Sequence, residues 1–271
     1  MEIFFGLMIF VMGLCCGSFV NMLEYRTAVK YELIKPPTPQ LKKGPKRSYC
    51  DKCGNQLNWF ENIPVFSFLI QKGKTRCCGK KLSPLYPFVE LGMGILFILY
   101  FVFLNKIYIY DLMISGWYWL DLIIGLIFLV FLWFSALFDL KYMILPDFST
   151  LGMGLCAIIL SRNNLVESII TGILCFIFIY ILHKIKIHGN EAMGGGDVKY
   201  ALVMGILLGW QKTVLSLYIA FIIGAVIGVI LILFKKLNKK AAIAFGPFLF
   251  LGTLVSWWMG TSIINLIIRF L

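Results

Sequence analysis

Met193-Gly194-Gly195-Gly196-Asp197-Val198-Lys199 sets three glycines and a carboxylate at the mouth of an apolar segment, Tyr200 to Gly209. An acid so near hydrocarbon costs about 2.5–3.5 kcal/mol at a helix centre on insertion scales, so it demands a partner and a purpose. Working outward, the next acid in a comparable place is Asp139, which closes another apolar run. The whole chain has this character. With 271 residues, 60% hydrophobic and 14% charged, it is too apolar for an ordinary soluble domain and reads as an all-α polytopic membrane protein.

A helix crosses a bilayer with about 20 apolar residues. Runs of that kind lie at Ile3–Met22, Tyr86–Leu104, Leu120–Phe138, Phe148–Leu160, Leu165–Leu182, Val198–Trp210, Val214–Phe234 and Ala244–Ile268, which predicts about eight transmembrane helices. The fourth and sixth are short, and Pro247 is placed to kink the last. The first run has no basic stretch before it and no small-residue cleavage site after it, so it reads as a retained span rather than a signal peptide.

The formal net charge of +12 would suit a nucleic-acid partner in a soluble protein. Here the charges sit in loops between apolar runs, which excludes that reading and leaves the lipid bilayer as the partner. Thirteen Lys and Arg fall between Glu24 and Leu85, and alternate later loops add Lys141, then Lys184, Lys186 and Lys199, then Lys235, Lys236, Lys239 and Lys240. The other side receives only Lys106, Arg162, Lys212 and Arg269. Positive charge marks the cytoplasmic side, so both termini are predicted outside and Asp139, Asp147 and Asp197 at the cytoplasmic edge. Trp117 and Trp119 then fall at the outer interface, where aromatic belts belong. Three regions follow: residues 1–23 as a first span, 24–85 as a small cytosolic cysteine domain with a stiff Pro36, Pro37, Pro39 connector, and 86–271 as a transmembrane bundle.

Four of the eight cysteines cluster in that loop. Cys50-Asp51-Lys52-Cys53-Gly54 is a C-x-x-C knuckle, and Cys77-Cys78-Gly79 follows about two dozen residues later. Four thiolates could close a tetrahedral zinc site and give a loop-rich, zinc-ribbon-like domain the core that it otherwise lacks. The second pair is adjacent, so free structural thiols are the competing reading. A cytosolic location argues against stable disulfides. The histidines, His183 and His188, are too far along the chain to make a catalytic thiol the natural alternative.

Between Asp139 and Asp147, Pro146 cannot continue a helix, so the chain breaks there and re-enters at Phe148. Eight residues of helix would set those two acids about 12 Å apart, which makes them poor partners. Asp139 and Asp197 each cap a span and could meet across a bundle. Two carboxylates a few ångströms apart do not both ionise easily, so one can hold a proton while the other acts as a base. Such a pair can activate water against a peptide carbonyl and protonate the leaving amine. The glycines would let an extended peptide backbone come close. The plainer reading makes Gly194 to Gly196 a lead-in to a helix capped by Asp197. A transporter or channel could use the same acids, although it would favour midplane charges and repeated halves.

Several motifs together resemble the type IV prepilin peptidases, the leader peptidase/N-methyltransferases within the Gly-x-Gly-Asp intramembrane aspartyl proteases. These are Gly17-Ser18-Phe19-Val20-Asn21 with Tyr25-Arg26; Arg47-Ser48-Tyr49-Cys50 with Cys53; Glu61-Asn62-Ile63-Pro64-Val65; Tyr86-Pro87-Phe88-Val89-Glu90-Leu91; Asp139 with Pro146-Asp147; and Gly194-Gly195-Gly196-Asp197-Val198-Lys199. The resemblance implies Asp139 and Asp197 as the catalytic pair, with Asp147, Gly194, Gly196 and Lys199 auxiliary. It implies prepilin or pseudopilin substrates, cut after a glycine at the cytoplasmic membrane face. It also implies S-adenosylmethionine-dependent N-methylation of the new terminus, associated with the cytosolic domain and the region of Glu90. The family's second knuckle is Cys-x-x-Cys; aligned on Cys78-Gly79, its first cysteine falls at Thr75 and Cys77 takes a spacer position. Cys50, Cys53 and Cys78 stay in register as metal ligands; either Cys77 shifts in as the fourth, or the site has three sulfurs and another donor, or zinc is lost. A pilus or secretion assembly factor that has lost catalysis would keep the same fold.

Overall fold

The computed structural model describes residues 2–37, 47–108, 117–187, 190–191, 193–234 and 244–270. Pro39, Lys42, Lys43, Lys46, His188, Lys235, Lys236, Lys239 and Lys240 lie outside the described residues. The chain is nearly all helix: α1 Glu2–Lys30, α2 Phe66–Ile70, α3 Leu85–Ile107, α4 Trp117–Tyr142, α5 Asp147–Leu160, α6 Leu165–Lys184, α7 Gly195–Leu233 and α8 Gly246–Phe270. The described strands are two residues each, β1 Lys186–Ile187 and β2 Asn190–Glu191, paired antiparallel. Among the described residues, six helices are long and apolar enough to cross a membrane.

Six helices and eight apolar runs describe the same chain. The fourth run is α5, whose 14 residues are apolar but short. The sixth and seventh runs are the two parts of α7, which is continuous by hydrogen bonding but leaves helical geometry at Gly209, with φ 68° and ψ 176°. On a straight helix Met204 and Ser216 would be about 18 Å apart. Instead the Ser216 hydroxyl donates to the Met204 Sδ at 3.1 Å, so the chain doubles back at Gly209 into a hairpin. That φ/ψ region is essentially restricted to glycine. The kink expected in the last span is absent for a different reason: α8 starts at Gly246, which places Pro247 in the first turn, where a missing N–H costs nothing.

Packing divides the chain into two compact units, Met1–Tyr118 and Trp119–Leu271. Helix α3 therefore groups with α1 and the cysteine loop. Two glycines account for this. A Cβ at Gly13 would stand 2.8 Å from the Gly94 Cα, and one at Gly17 would stand 2.6 Å from the Glu90 Cα. This G-x-x-x-G spacing brings the backbones of α1 and α3 together in the way that membrane helices associate without a hydrophobic driving force. Helix α1 also runs to Lys30, beyond the expected end of the span at residue 23, so Arg26 and Lys30 are helical.

In the second unit, α4 packs on α5 through Phe134 against Phe148 and through a buried hydrogen bond from the Ser135 hydroxyl to the Ser149 hydroxyl at 2.9 Å. It meets α8 through Trp133 on Phe250 and Phe128 on Trp257. One end of α4 carries Asp121, held by both guanidinium nitrogens of Arg162. Asp139 lies eighteen residues on, about 27 Å along the axis and close to the ~30 Å of a hydrocarbon core.

Candidate active site

Asp139 sits in the last turn of α4 and is 6% exposed. Its Oδ2 accepts the Gly246 N–H at 2.9 Å. That N–H opens α8 and has no acceptor within its own helix, so the carboxylate caps a helix N-terminus, where negative charge is favoured. The approach leaves no room: a Cβ at Gly246 would lie 2.5 Å from Oδ2.

Asp197 is the third residue of α7 and is 5% exposed. Its Oδ2 accepts the Gly194 N–H at 3.2 Å while its own N–H donates to the Gly194 carbonyl at 3.1 Å, so it too caps a helix start. Asp139 and Asp197 lie near enough for their charges to act on each other, and His183 is also within range of Asp197. The glycine run is positioned from two sides. Gly196 lies against Leu145, where a Cβ would come within 2.8 Å of the Leu145 Cβ. His183, at the end of α6, places Nδ1 2.7 Å from the Met193 carbonyl, a contact that needs the proton on Nδ1. Gly194 and Gly195 remain exposed.

Asp147 behaves differently. It opens α5, its side chain is 69% exposed, and it meets the exposed Lys199 ammonium at 2.5 Å. The structure therefore buries Asp139 and Asp197 beside the more exposed Gly194 and Gly196 and sets the Asp147–Lys199 pair on the rim. Such an exposed pair is worth about 0–1 kcal/mol. Gly246 and His183 were missed from the sequence. Gly246 had a signal in the Gly-Pro at the start of the last apolar run; His183 lacked one, because its partner is a backbone carbonyl ten residues further on, at Met193.

The four loop cysteines also come together, with all Sγ atoms within 4.8 Å of one another. Cys50 and Cys78 are 4.0 Å apart, and Cys53 and Cys77 are 3.2 Å apart. Tetrahedral bonds of ~2.3 Å to zinc would place the sulfurs about 3.8 Å apart, so the set fits such an ion. The two knuckles have the same hydrogen bonding. Cys50 N–H donates to the Asn55 carbonyl and Gly54 N–H to the Cys50 carbonyl; Thr75 N–H donates to the Lys80 carbonyl and Gly79 N–H to the Thr75 carbonyl. Thr75 thus occupies the place of Cys50, and Cys77 turns its sulfur inward from a spacer position. The Thr75 hydroxyl at 3.0 Å and the Lys80 backbone N–H lower the Cys78 thiol to about 7. Hydrogen bonding with Cys53 pushes Cys77 up to about 12.

Residues 11–104 match the family model described as the bacterial peptidase A24 N-terminal domain, and residues 126–229 match the one described as the type IV leader peptidase family. A relative from Klebsiella pneumoniae, named prepilin leader peptidase/N-methyltransferase, is 31% identical over 221 residues, which cover 79% of this chain and 90% of the relative. The chain belongs to the type IV leader peptidase family. Relatives with the same name are 30% identical over 235 residues in Myxococcus xanthus, covering 84% of this chain and 64% of the relative, and 28% identical over 265 residues in Bacillus subtilis, covering 96% and 97%. No solved structure matches the chain.

The two leader peptidase family matches fall one in each compact unit. The buried aspartates belong to the second. The first contains a cavity of about 400 Å³ whose lining includes Tyr25, Arg26, Tyr49, Asp51, Tyr86 and Glu90. Glu90 is buried there, and its Oε2 accepts the Val65 N–H at 2.7 Å.

Proposed function

We propose that this chain is a prepilin leader peptidase in which Asp139 and Asp197 share the hydrolytic work. The observation that carries the reading is the placement of two buried, mutually interacting carboxylates at the N-termini of α7 and α8, beside an exposed glycine run. Each helix start offers a fixed N–H that holds its carboxylate in one orientation, so little reorganisation accompanies proton transfer. With one carboxyl protonated and its partner ionised, the ionised group takes a proton from water as its oxygen attacks the scissile carbonyl. The protonated group polarises that carbonyl. Collapse of the tetrahedral adduct breaks the C–N bond and passes a proton to the departing amine, leaving one proton shared by the pair for the next turnover.

The substrate is a prepilin or pseudopilin with a short basic leader, cleaved at the cytoplasmic face by a chain whose termini both lie outside. The exposed backbone of Gly194 and Gly195 would receive the extended leader. The new N-terminus is then methylated by the first unit, with the Glu90 cavity as the place of that step. S-adenosylmethionine would supply the methyl group there, and Glu90 would hold the amine. Zinc bound by Cys50, Cys53, Cys77 and Cys78 would serve structure, fixing the two knuckles.

Incubating the full chain in membranes with a prepilin, with and without S-adenosylmethionine, and reading the product N-terminus by mass spectrometry separates the two activities. Leader loss in both reactions is expected, with methyl addition only in the first. A prepilin that stays intact would sink the peptidase reading; a cleaved but never methylated product would sink the second activity alone.

A further inference from the structure

The loop between α1 and α3 carries an outward apolar face. In α2, Ser67, Phe68 and the following Gln71 point into the cavity, whereas Phe66, Leu69 and Ile70 recur at one-turn spacing on the opposite side. Trp59, in the 3-10 turn Trp59–Asn62 that packs on α2, faces outward as well. These four side chains are between 60% and 79% exposed, a large apolar surface for a segment flanked by the exposed cations Lys72, Lys74 and Arg76.

One bond ties this face to the membrane helix. Val65, the residue before α2, donates its N–H to Glu90, and Glu90 lies one and a half turns into α3, about 7.5 Å past Leu85. Val65 is held there at φ 64°, a conformation that a β-branched residue adopts only when its surroundings impose it. The start of α2 therefore stands at the level where α3 itself exposes Leu85, Phe88 and Leu91. An apolar face tethered at that depth continues the lipid-facing surface of the helix.

We propose that Trp59, Phe66, Leu69 and Ile70 insert into the interfacial region of an anionic bilayer, with Lys72, Lys74 and Arg76 at its headgroups. Tryptophan favours that region, and basic residues near it gain from anionic lipid. The segment becomes an in-plane anchor that holds the cysteine knuckles and the Glu90 cavity against the membrane surface.

The test uses the full chain in liposomes containing phosphatidylglycerol with an acyl-chain diazirine near the headgroup, and maps the labelled residues by mass spectrometry. Labels on residues 59–70 are expected together with labels on the exposed face of α3, with none on residues 50–53. Labelling should fall severalfold at 59–70 in a Leu69→Asp, Ile70→Asp variant while the α3 labels persist. Labelled α3 with an unlabelled 59–70 segment in the unaltered chain would overturn the proposal. So would capture of a second protein chain, instead of lipid, by p-benzoylphenylalanine placed at Leu69.

Discussion

Asp139 reaches the first N–H of α8 only because residue 246 has no side chain. Gly246→Ala would drive a methyl group into the carboxylate, and Asp139 would have to swing away from its cap. Misplacement by about 1 Å is worth on the order of a hundredfold in rate, so the expected outcome is a fall of that size in kcat/KM for prepilin cleavage with the protein still present in the membrane. Unchanged turnover would show that the cap does not orient Asp139. Asp147 has the opposite character, being exposed and paired with Lys199 at the rim. Asp147→Asn should cost no more than several-fold in the same assay; a loss as deep as that of Asp139→Asn would place Asp147 among the reacting groups.

At the level of elements, the second knuckle makes a sharp prediction. Because Thr75 stands where a regular knuckle has its first cysteine, Cys77→Ser should lower zinc per chain, and adding Thr75→Cys should restore it by rebuilding the Cys-x-x-Cys spacing. Metal analysis of purified protein measures both, and full zinc in Cys77→Ser would remove Cys77 from the ligand set. The register of that knuckle was legible through its resemblance to the family's Cys-x-x-Cys pattern, aligned on Cys78-Gly79. The apolar runs were legible because their length and composition are local. The contact of Asp139 with Gly246 was not: they are 107 residues apart, and the packing of α4 on α8 brings them together. The G-x-x-x-G of Gly13 and Gly17 was visible as a pattern, but what it faces, Glu90 and Gly94, depends on α3 returning beside α1.

At the scale of the molecule, the two family matches fall one in each compact unit, and the two proposed activities divide in the same way. Glu90→Gln should therefore abolish methyl addition while leaving leader cleavage intact, as read from the mass of the pilin N-terminus; parallel loss of both would contradict that division. The central claim is hydrolysis by a pair of acids, and it is tested most directly by Asp139→Asn and Asp197→Asn, each reconstituted at wild-type level and given a prepilin substrate. Either substitution leaves one carboxyl without its partner, so the account predicts no detectable leader removal by either variant. Full processing by one of them would contradict it.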